Sequence, residues 1–341
     1  MEIKTESELE ELLSRPDEAT ASAMAALDGD LLILGAGGKM GPSLARLARR
    51  AAERAGVKKR VIAVARFTNS ALPSELAVLG IETIAGDLLE PGMLDRLPDI
   101  PNVIFMAARK FGTAGGEHLT WAMNTYLPGL VAERYRNSRV VAFSTGNVYP
   151  LRALAEGGAI ESTPVAPVGE YAQSALGRER MFEYGSTRWG TPVTILRLNY
   201  AVELRYGVLV DIGRSVFERR PIDLSMPCVN VIWQGDANAW CLRSFAYCSS
   251  PPTVLNITGP ETLSVREVAL EFGRHFGIEP TFVSKTEGSS ALLSDVRKAT
   301  SLFGSPTVRP SEMIAWIANW IRAGGAMLNK PTHFQTRDGK F

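Results

Sequence analysis

The sequence predicts an α/β fold in which a doubly wound parallel sheet carries a smaller C-terminal lobe. Two observations lead to this prediction. Between residues 31 and 200, short apolar segments of strand length alternate with segments of helix length, which is the pattern of parallel strands covered by helices on both faces. A chain of 341 residues is also long enough for one large domain with a smaller one attached.

Six strands and the helices between them give the order of the elements. The predicted strands are 31–34, 61–65, 82–85, 103–107, 140–143 and 193–198. The predicted helices are 42–55, 119–135, 171–184, 211–220, 264–276 and 312–323, with 221–224 extended. Residues 1–28 are expected to form a helical extension and 331–341 a tail. Right-handed crossovers bring all strand C-termini to one edge, so the residues that follow strands are the candidate site.

The first predicted strand runs into a glycine-rich turn. Gly35, Gly38 and Gly41 have GxxGxxG spacing, with Lys39 and Met40 between the last two, and a helix is predicted to follow. Glycine lets backbone N–H groups approach a phosphate, and a helix N-terminus adds a partial positive charge. Strand, turn and helix together predict a nucleotide cofactor site, while a purely structural turn is the alternative.

The second and third strands are followed by further candidate cofactor contacts. Arg66 stands where an acidic residue would bind the ribose hydroxyls of NAD, and its guanidinium suits a 2′-phosphate. We therefore expect NADP in preference to NAD, with a solvated surface arginine as the alternative. Asp87, beside Leu88, suits either a hydrogen bond from the adenine amino group or a turn cap.

The fourth strand ends in small residues followed by two cations. Ala107 and Ala108 leave room for a cofactor, and Arg109 and Lys110 come directly after them. These cations suit a phosphate, an acidic substrate or solvent, and the sequence leaves the three open.

A hydroxyl after the fifth strand and a tyrosine at the start of the next helix form a candidate catalytic pair. Thr145 and Tyr171 could together polarise a carbonyl or an alcohol. A tyrosine with a pKa of about 10 is a poor base at neutral pH. It needs a neighbouring cation that lowers this pKa.

Composition excludes several classes of function. The formal net charge is +1, which argues against a nucleic-acid partner. The acidic N-terminus lacks the apolar core of a signal peptide, and no apolar run reaches membrane-spanning length. The three cysteines match no metal-ligand spacing, so we expect no metal, and their odd number favours reduced thiols in a cytoplasm.

In their order and spacing these motifs resemble the extended short-chain dehydrogenase/reductase superfamily, in its NAD-dependent epimerase/dehydratase branch. GAGGKMG resembles the family's glycine turn, GDL its adenine contact, FMAA the end of its fourth strand, FSTGNVY its catalytic segment and LRLNY the strand leading to substrate contacts. The resemblance implies a Rossmann-like NAD(P)-binding domain at 29–200 and a mostly substrate-binding lobe at 201–330, interleaved with it. It also implies hydride transfer by an epimerase, dehydratase or other oxidoreductase acting on a sugar, sugar acid, nucleotide sugar or related polyol.

The resemblance also implies roles for individual residues. Thr145 matches the family's hydroxyl donor, and Tyr171, within EYAQSA, matches its acid/base and a cofactor contact. Asn124 resembles the asparagine on the family's fourth helix. Asn147 and Asn199 are expected to contact the small-molecule substrate. A homodimer formed through a pair of helices is a further implication.

One position departs sharply from the family pattern. The lysine of the family's YxxxK pair, which binds the nicotinamide ribose and lowers the tyrosine pKa, falls at Ala175. Arg178, on the same helix face as Tyr171, and Lys110 are candidate substitutes. Retention of both hydroxyls favours an enzyme. A non-catalytic NADP(H)-binding sensor or scaffold protein is the alternative.

Overall fold

A parallel sheet of seven strands forms the centre of the structure. The computed structural model describes residues 3–110, 112, 115–283 and 286–340. In chain order the strands are β1 (Leu31–Leu34), β2 (Val61–Ala65), β3 (Glu82–Ala85), β4 (Asn102–Phe105), β5 (Arg139–Thr145), β6 (Arg152–Ala153), β7 (Val193–Leu198), β8 (Ala201–Val202), β9 (Cys228–Val229), β10 (Ile232–Trp233), β11 (Thr253–Ile257), β12 (Leu263–Ser264) and β13 (Ser290–Ala291). β1 to β5, β7 and β11 make up the sheet, and the others pair outside it.

The strand order places a crevice beside the first strand. The sheet runs β11-β7-β5-β4-β1-β2-β3, and all of its pairings are parallel. The chain builds outward from β1 to β3 and then returns to β4 on the other side of β1. The loops after β1 and β4 therefore diverge, and the carboxyl edge between them is where open α/β sheets bind ligands.

Helices cover both faces of this sheet. In chain order they are α1 (Glu6–Leu13), α2 (Glu18–Ala26), α3 (Gly41–Arg54), α4 (Leu72–Val78), α5 (Glu117–Trp121), α6 (Leu127–Arg134), α7 (Gly169–Trp189), α8 (Val208–Phe217), α9 (Gln234–Arg243), α10 (Val265–Phe276), α11 (Arg297–Phe303) and α12 (Pro310–Arg322). α2, α3, α4, α9 and α11 pack on one face, and α6 and α7 on the other. In the described ranges, no helix combines the length and apolarity needed to cross a membrane.

The side chains of β1 show why the sheet needs both layers. Leu31 and Ile33 belong to one hydrophobic cluster, and Leu32 and Leu34 belong to the other. Successive strand side chains point to opposite faces, so a strand with four apolar residues is stable only when both faces are covered. All four are fully buried.

A third hydrophobic cluster builds the smaller lobe. α8, α10 and α12 pack together around Leu209, Phe272 and Ile317. α1 adds Leu9 and Leu13 to this cluster, so the N-terminal extension contacts the lobe as well as the sheet domain.

Residues 329–340, here called the C-terminal strap, link the lobe to α7. Phe334 is buried in the lobe cluster, and Arg337 donates hydrogen bonds to the carbonyl oxygens of Ser225 and Ser290. Further on, Gly339 lies so close to Gly169 that a Cβ on Gly169 would come within 2.4 Å of the Gly339 carbonyl oxygen. The strap thus contacts the lobe and the first residue of α7.

The predicted fold class is confirmed, with differences in individual elements. Four predicted strands match β1, β2, β3 and β7, whereas β4 ends two residues earlier and β5 extends to Thr145. The seventh strand, β11, was missed: its polar Asn256 interrupts the apolar run. Residues 221–224 form no strand, and Ile222 makes only an isolated bridge to Phe282.

The helix predicted at 119–135 is interrupted by a turn of π-helix, Ala122–Tyr126. Pro128 lies in the first turn of α6. Proline has no N–H to donate to the carbonyl oxygen four residues earlier, which is that of Asn124, so a regular helix cannot continue through this point.

Candidate active site

Two clefts meet at the carboxyl edge of the sheet, beside the crevice between β1 and β4. The inner cleft has a volume of about 300 Å³ and the sheet-edge cleft one of about 320 Å³. Gly35, Gly38, Met106 and Ala108 line both clefts. The two clefts therefore share a wall, which suits an elongated ligand with two ends.

Most residues predicted from the sequence line one or both clefts. The sheet-edge cleft is lined by Gly35, Gly38, Arg66, Asp87, Leu88, Ala107 and Ala108. The inner cleft is lined by Gly35, Gly38, Lys39, Met40, Ala108, Lys110, Thr145, Asn147, Tyr171, Arg178 and Asn199. Gly41 and Arg109 line neither, and the Arg109 guanidinium donates instead to the Gly112 carbonyl oxygen at 2.8 Å.

The glycine turn is shaped for close backbone approach. Gly35 has φ +93°, and a Cβ there would lie 2.5 Å from the Ala107 nitrogen. A Cβ on Gly41 would lie 2.2 Å from the Ala36 carbonyl oxygen, so Gly41 lets α3 begin directly against the turn. No side chain caps this helix at Met40. Its first N–H groups thus have no side-chain acceptor, and a phosphate group fits this helix start.

Arg66 and Asp87 face each other across the sheet-edge cleft. The Arg66 guanidinium nitrogen lies 3.9 Å from a carboxylate oxygen of Asp87, and 65% of the Arg66 side chain is exposed. Asp87 also accepts a hydrogen bond from the Leu89 backbone N–H at 3.0 Å. One carboxylate oxygen of Asp87 therefore caps the turn, as the turn interpretation predicts. The residue also lines the sheet-edge cleft.

The Thr145 and Tyr171 side chains both line the inner cleft, and the Thr145 hydroxyl is close enough to lower the pKa of Tyr171. The Thr145 hydroxyl oxygen accepts from the Asn147 backbone N–H at 3.2 Å and from the Asn147 side-chain amide at 3.0 Å. These donors occupy its two lone pairs, so the single Thr145 proton remains to be donated. Burial raises the pKa of Tyr171, and the Arg178 charge and the Thr145 hydrogen bond lower it in part.

Arg178 brings a positive charge to this pair from the next turns of α7. It is 3% exposed, and it donates to the Phe143 carbonyl oxygen at 2.8 Å and to the Asn124 side-chain oxygen at 2.9 Å. Asn124 also holds the end of β4, because its side chain exchanges two hydrogen bonds with the Arg109 backbone, both 2.9 Å long. The interrupted helix thus fixes both the β4 loop and Arg178.

Ala175, where the family lysine would stand, is fully buried against Val148, Tyr149 and Ala159. It is not among the residues that line the inner cleft. The packing around it leaves no solvent-exposed path for a long side chain at this position.

Lys39 extends from the glycine turn to the opposite lobe. Its Nζ donates to the Ala201 carbonyl oxygen at 2.7 Å and lies 4.5 Å from the centre of the Tyr206 ring. Burial lowers the pKa of Lys39 to about 7, with a further lowering by the charges of Arg205 and Lys110 and a partial rise from Glu203. The turn therefore places an ammonium group against Ala201 and Tyr206 across the inner cleft, which the sequence did not indicate.

Lys110 meets the C-terminal strap. Its Nζ donates to the Thr332 carbonyl oxygen at 3.2 Å and lies 5.9 Å from the centre of the Tyr171 ring. Burial lowers the pKa of Lys110 to about 8, although nearby Asp211 raises it in part. Thr332 itself lines the inner cleft. Sequence reasoning missed it, because nothing in the polar tail marks this one threonine.

A buried ion pair supports the catalytic face of α7 and was also missed. Arg197 donates to Glu179 through Nε at 3.0 Å and Nη2 at 2.7 Å, and both side chains are at most 5% exposed. Ser144, which lines the inner cleft, donates to the same carboxylate at 2.5 Å. An arginine within a predicted buried strand was the available signal, since a buried charge requires a partner.

Comparison with a family sequence model places the chain among known proteins. The NAD dependent epimerase/dehydratase family matches residues 31–202, which is half of the chain. No curated protein matches the chain.

Solved structures with the same fold include three sugar-nucleotide enzymes. UDP-glucuronic acid 4-epimerase from Bacillus cereus in complex with NAD is 19% identical, with a TM-score of 0.72 over 86% of this chain and 96% of that chain. dTDP-glucose 4,6-dehydratase from Bacillus anthracis in complex with NAD is 15% identical, with a TM-score of 0.71 over 86% and 96%. UDP-glucose 4-epimerase from Thermotoga maritima with UDP-glucose is 15% identical, with a TM-score of 0.69 over 86% and 99%.

Proposed function

This chain belongs to the NAD dependent epimerase/dehydratase family, and on that premise we propose that it is an NAD(P)-dependent enzyme acting by hydride transfer on a sugar-type substrate. The observation that carries the proposal is that Thr145 and Tyr171 line one cleft together with Gly35 and Gly38 of the glycine turn. When bound, a nicotinamide dinucleotide would accept and return the hydride. The protein's part is to orient the substrate and to move a proton.

Tyr171 is the proposed acid/base. Because burial raises its pKa above the ordinary value near 10, its hydroxyl is protonated at neutral pH and is ready to donate to a substrate carbonyl oxygen. Thr145, oriented by Asn147, stabilises the oxygen that gains charge. In the reverse direction Tyr171 must lose its proton, and the positive charge of Arg178 stabilises the phenolate. Arg178 is thus the proposed substitute for the missing family lysine.

The proposed cofactor contacts divide between the two clefts. Gly35, Gly38, Lys39, Met40 and Gly41 form the turn and helix start suited to the pyrophosphate. Asp87, Leu88, Ala107, Ala108 and Tyr171 are the remaining contacts that we propose.

We propose NADP as the preferred cofactor because of Arg66. Its largely exposed guanidinium stands beside the sheet-edge cleft and suits a 2′-phosphate bidentately. NAD is the alternative, since the solved epimerase and dehydratase with this fold carry NAD. Parallel titrations with NADPH and NADH, monitored by cofactor fluorescence, distinguish the two.

The proposed substrate contacts are Lys110, Asn147 and Asn199 in the inner cleft, with Arg109 beside it. Asn199 is 2% exposed and donates to the Asn230 side-chain oxygen at 2.8 Å, which fixes its orientation. Sugar hydroxyls require such oriented amide donors and acceptors. A sugar, sugar acid or nucleotide sugar therefore remains the proposed substrate class, and a cytoplasmic location belongs to the same proposal.

We also propose a homodimer formed through α5, α6 and α7. Trp121 on α5, Tyr126 at the end of the π-helical turn and Tyr184 on α7 expose 38%, 62% and 55% of their surface. A large exposed aromatic surface is typical of a protein–protein contact. Sedimentation of the protein and of a Tyr126→Glu variant tests the proposal: a dimer that dissociates in the variant supports it, and a monomeric parent protein contradicts it.

The test of the proposed function compares cofactor binding with turnover. Tyr171→Phe and Thr145→Val should bind the cofactor as the parent protein does, yet lose 10²-fold or more of the turnover, a loss on the order of that for removing an acid/base group. Substrates are screened by NAD(P)H absorbance and by product analysis. If both variants keep full turnover, the assigned pair is wrong. If the cofactor binds and no substrate turns over, the sensor interpretation gains support from Ala175.

A further inference from the structure

Three cationic side chains line the inner cleft. Lys39, Lys110 and Arg178 line it, and among the described residues that line it there is no Asp or Glu. Arg178 already donates to two oxygen acceptors of the protein. Lys39 and Lys110 are the other two cationic side chains of this cleft.

The acidic residues nearest to these lysines are engaged in other contacts. Glu203 is fully buried and lies 3.1 Å from the Arg205 guanidinium. Asp211 accepts from the Thr332 backbone N–H at 2.8 Å and from the Thr332 hydroxyl at 2.6 Å. Neither carboxylate lines the inner cleft, although Glu203 raises the pKa of Lys39 in part and Asp211 raises that of Lys110 in part.

Lys39 is built to bind an anion. A lysine ammonium has three N–H donors, and the one hydrogen-bond acceptor of Lys39 in the described part of the chain is the Ala201 carbonyl oxygen. The Lys110 charge is close enough to lower the pKa of Lys39 further. Two like charges that line the same cleft repel each other, and an anion bound between them is attracted to both.

We propose that Lys39 and Lys110 form an anion-binding subsite and that the substrate is a sugar acid whose carboxylate binds there. This inference rests on the proposed function, because it places the carboxylate in the cleft that holds Thr145 and Tyr171. The carboxylate positions the hydroxyl-bearing carbon against the proton-transfer pair.

The direction of Lys39 favours the substrate over the cofactor pyrophosphate. The residue belongs to the glycine turn, yet its ammonium group contacts Ala201 and Tyr206 of the segment that follows β7. The pyrophosphate is expected at the start of α3, where uncapped N–H groups are present. The Lys39 ammonium group therefore lies at the cleft wall opposite the glycine turn, beside Ala201 and Tyr206.

The C-terminal strap favours a small substrate. Thr332 forms part of the inner cleft wall, and its neighbours Pro331 and His333 line a separate cleft in the lobe. The strap thus separates the two spaces. The inner cleft of about 300 Å³ lies at the lower end of the roughly 300–1,000 Å³ common for ligand sites, which suits a single sugar acid.

The experiment measures binding of matched acid and neutral probes by calorimetry, with and without saturating NADPH. D-gluconate is compared with D-glucitol, and D-glucuronate with D-glucose, so that each pair differs in the carboxylate. We expect at least one acid to bind about tenfold or more tightly than its neutral partner, as for one charge-assisted hydrogen bond. Lys39→Met should remove this preference, Lys39→Arg should keep most of it, and Lys110→Met is the second loss-of-charge variant.

The matched control is Lys58→Met. Lys58 is exposed and precedes β2 at the opposite edge of the sheet, so its replacement should leave the preference intact. Thermal unfolding confirms that each variant is folded. The proposal is overturned if no acid binds better than its neutral partner, or if both loss-of-charge variants keep the preference. It is also overturned if D-glucose 6-phosphate binds more tightly than the acids, which would assign the subsite to a phosphate.

Failure of the proposed function gives a different pattern. A protein that binds neither NADPH nor NADH, yet discriminates gluconate from glucitol, retains the subsite and lacks the proposed activity. A protein that turns over neutral sugars with bound cofactor retains the activity, and the subsite proposal is wrong. If Lys39→Met weakens cofactor binding and leaves gluconate binding unchanged, Lys39 serves the pyrophosphate instead.

Discussion

The buried pair Glu179–Arg197 allows a quantitative test of how the catalytic helix is held. Glu179 lies on α7, eight residues after Tyr171, and its side chain is fully buried. Glu179→Gln keeps the shape of the side chain and removes its charge. Arg197 is then left buried without its counter-charge, which costs about 3–5 kcal/mol in the free energy of unfolding.

A surface pair of the same geometry provides the matched control. Arg60 donates to Glu82 through Nε at 2.7 Å and Nη2 at 2.8 Å, but these side chains are 54% and 48% exposed. Glu82→Gln should cost no more than about 1 kcal/mol, because solvent screens an exposed pair. In both pairs the arginine donates to the carboxylate through Nε and Nη2. The difference between the two losses in the free energy of unfolding therefore measures the effect of burial.

The assay is thermal unfolding followed by circular dichroism, together with urea titration. For 341 residues, the entropy of unfolding is about 0.7 kcal/mol per kelvin, so Glu179→Gln should lower the Tm by roughly 4–7 °C and Glu82→Gln by about 1 °C. The double variant Glu179→Gln/Arg197→Met should recover part of the loss, because it removes both charges. Equal losses for the buried and the surface variant would refute the reasoning.

Three further substitutions test the geometry of the site. Gly35→Ala should abolish NADPH binding measured by fluorescence, because its Cβ would lie 2.5 Å from a backbone nitrogen. The control Gly56→Ala, at φ +69° with open space around it, should retain NADPH binding. Asn124→Leu should lower turnover far more than cofactor affinity, since it releases the β4 loop and α7 from each other; equal losses in the two measurements would contradict this role. Ala175→Lys should lower the Tm without raising turnover, because the position is fully buried and overpacking alone costs about 1–3 kcal/mol. Ala77→Lys, on the exposed face of α4, is the matched control, and a gain in turnover from Ala175→Lys would show that a lysine can still act there.

Most strands of the sheet and the edge where their carboxyl ends meet could be predicted from the sequence because the signals are local. Leu31–Leu34 and Val61–Ala65 are continuous apolar runs bounded by turns, and such runs identify buried parallel strands. Residues after strands could then be assigned to one edge, since the crossover rule fixes the geometry. Arg66 and Thr145 were predicted to lie at this edge in this way, and each lines a cleft there.

Contacts between distant segments could not be predicted in this way. Lys39 meets Ala201 across 162 positions and Lys110 meets Thr332 across 222 positions. No local pattern encodes such pairs, because they depend on how the lobe and the strap lie against the sheet. The interior location of Arg178 was likewise hidden, since an arginine on a helix usually faces solvent.

The strand order described above makes the two halves of the site separable for engineering. Most of the sheet-edge cleft comes from the segments after β1 to β4, whereas the proposed proton-transfer pair comes from β5 and α7. Cofactor preference could therefore be redesigned around Arg66 in one module while the reaction chemistry is left untouched in the other. Lys39 and Lys110 are the exceptions, because they belong to the first module and reach into the second. A designer who grafts a different glycine turn onto this scaffold would replace part of the substrate pocket as well.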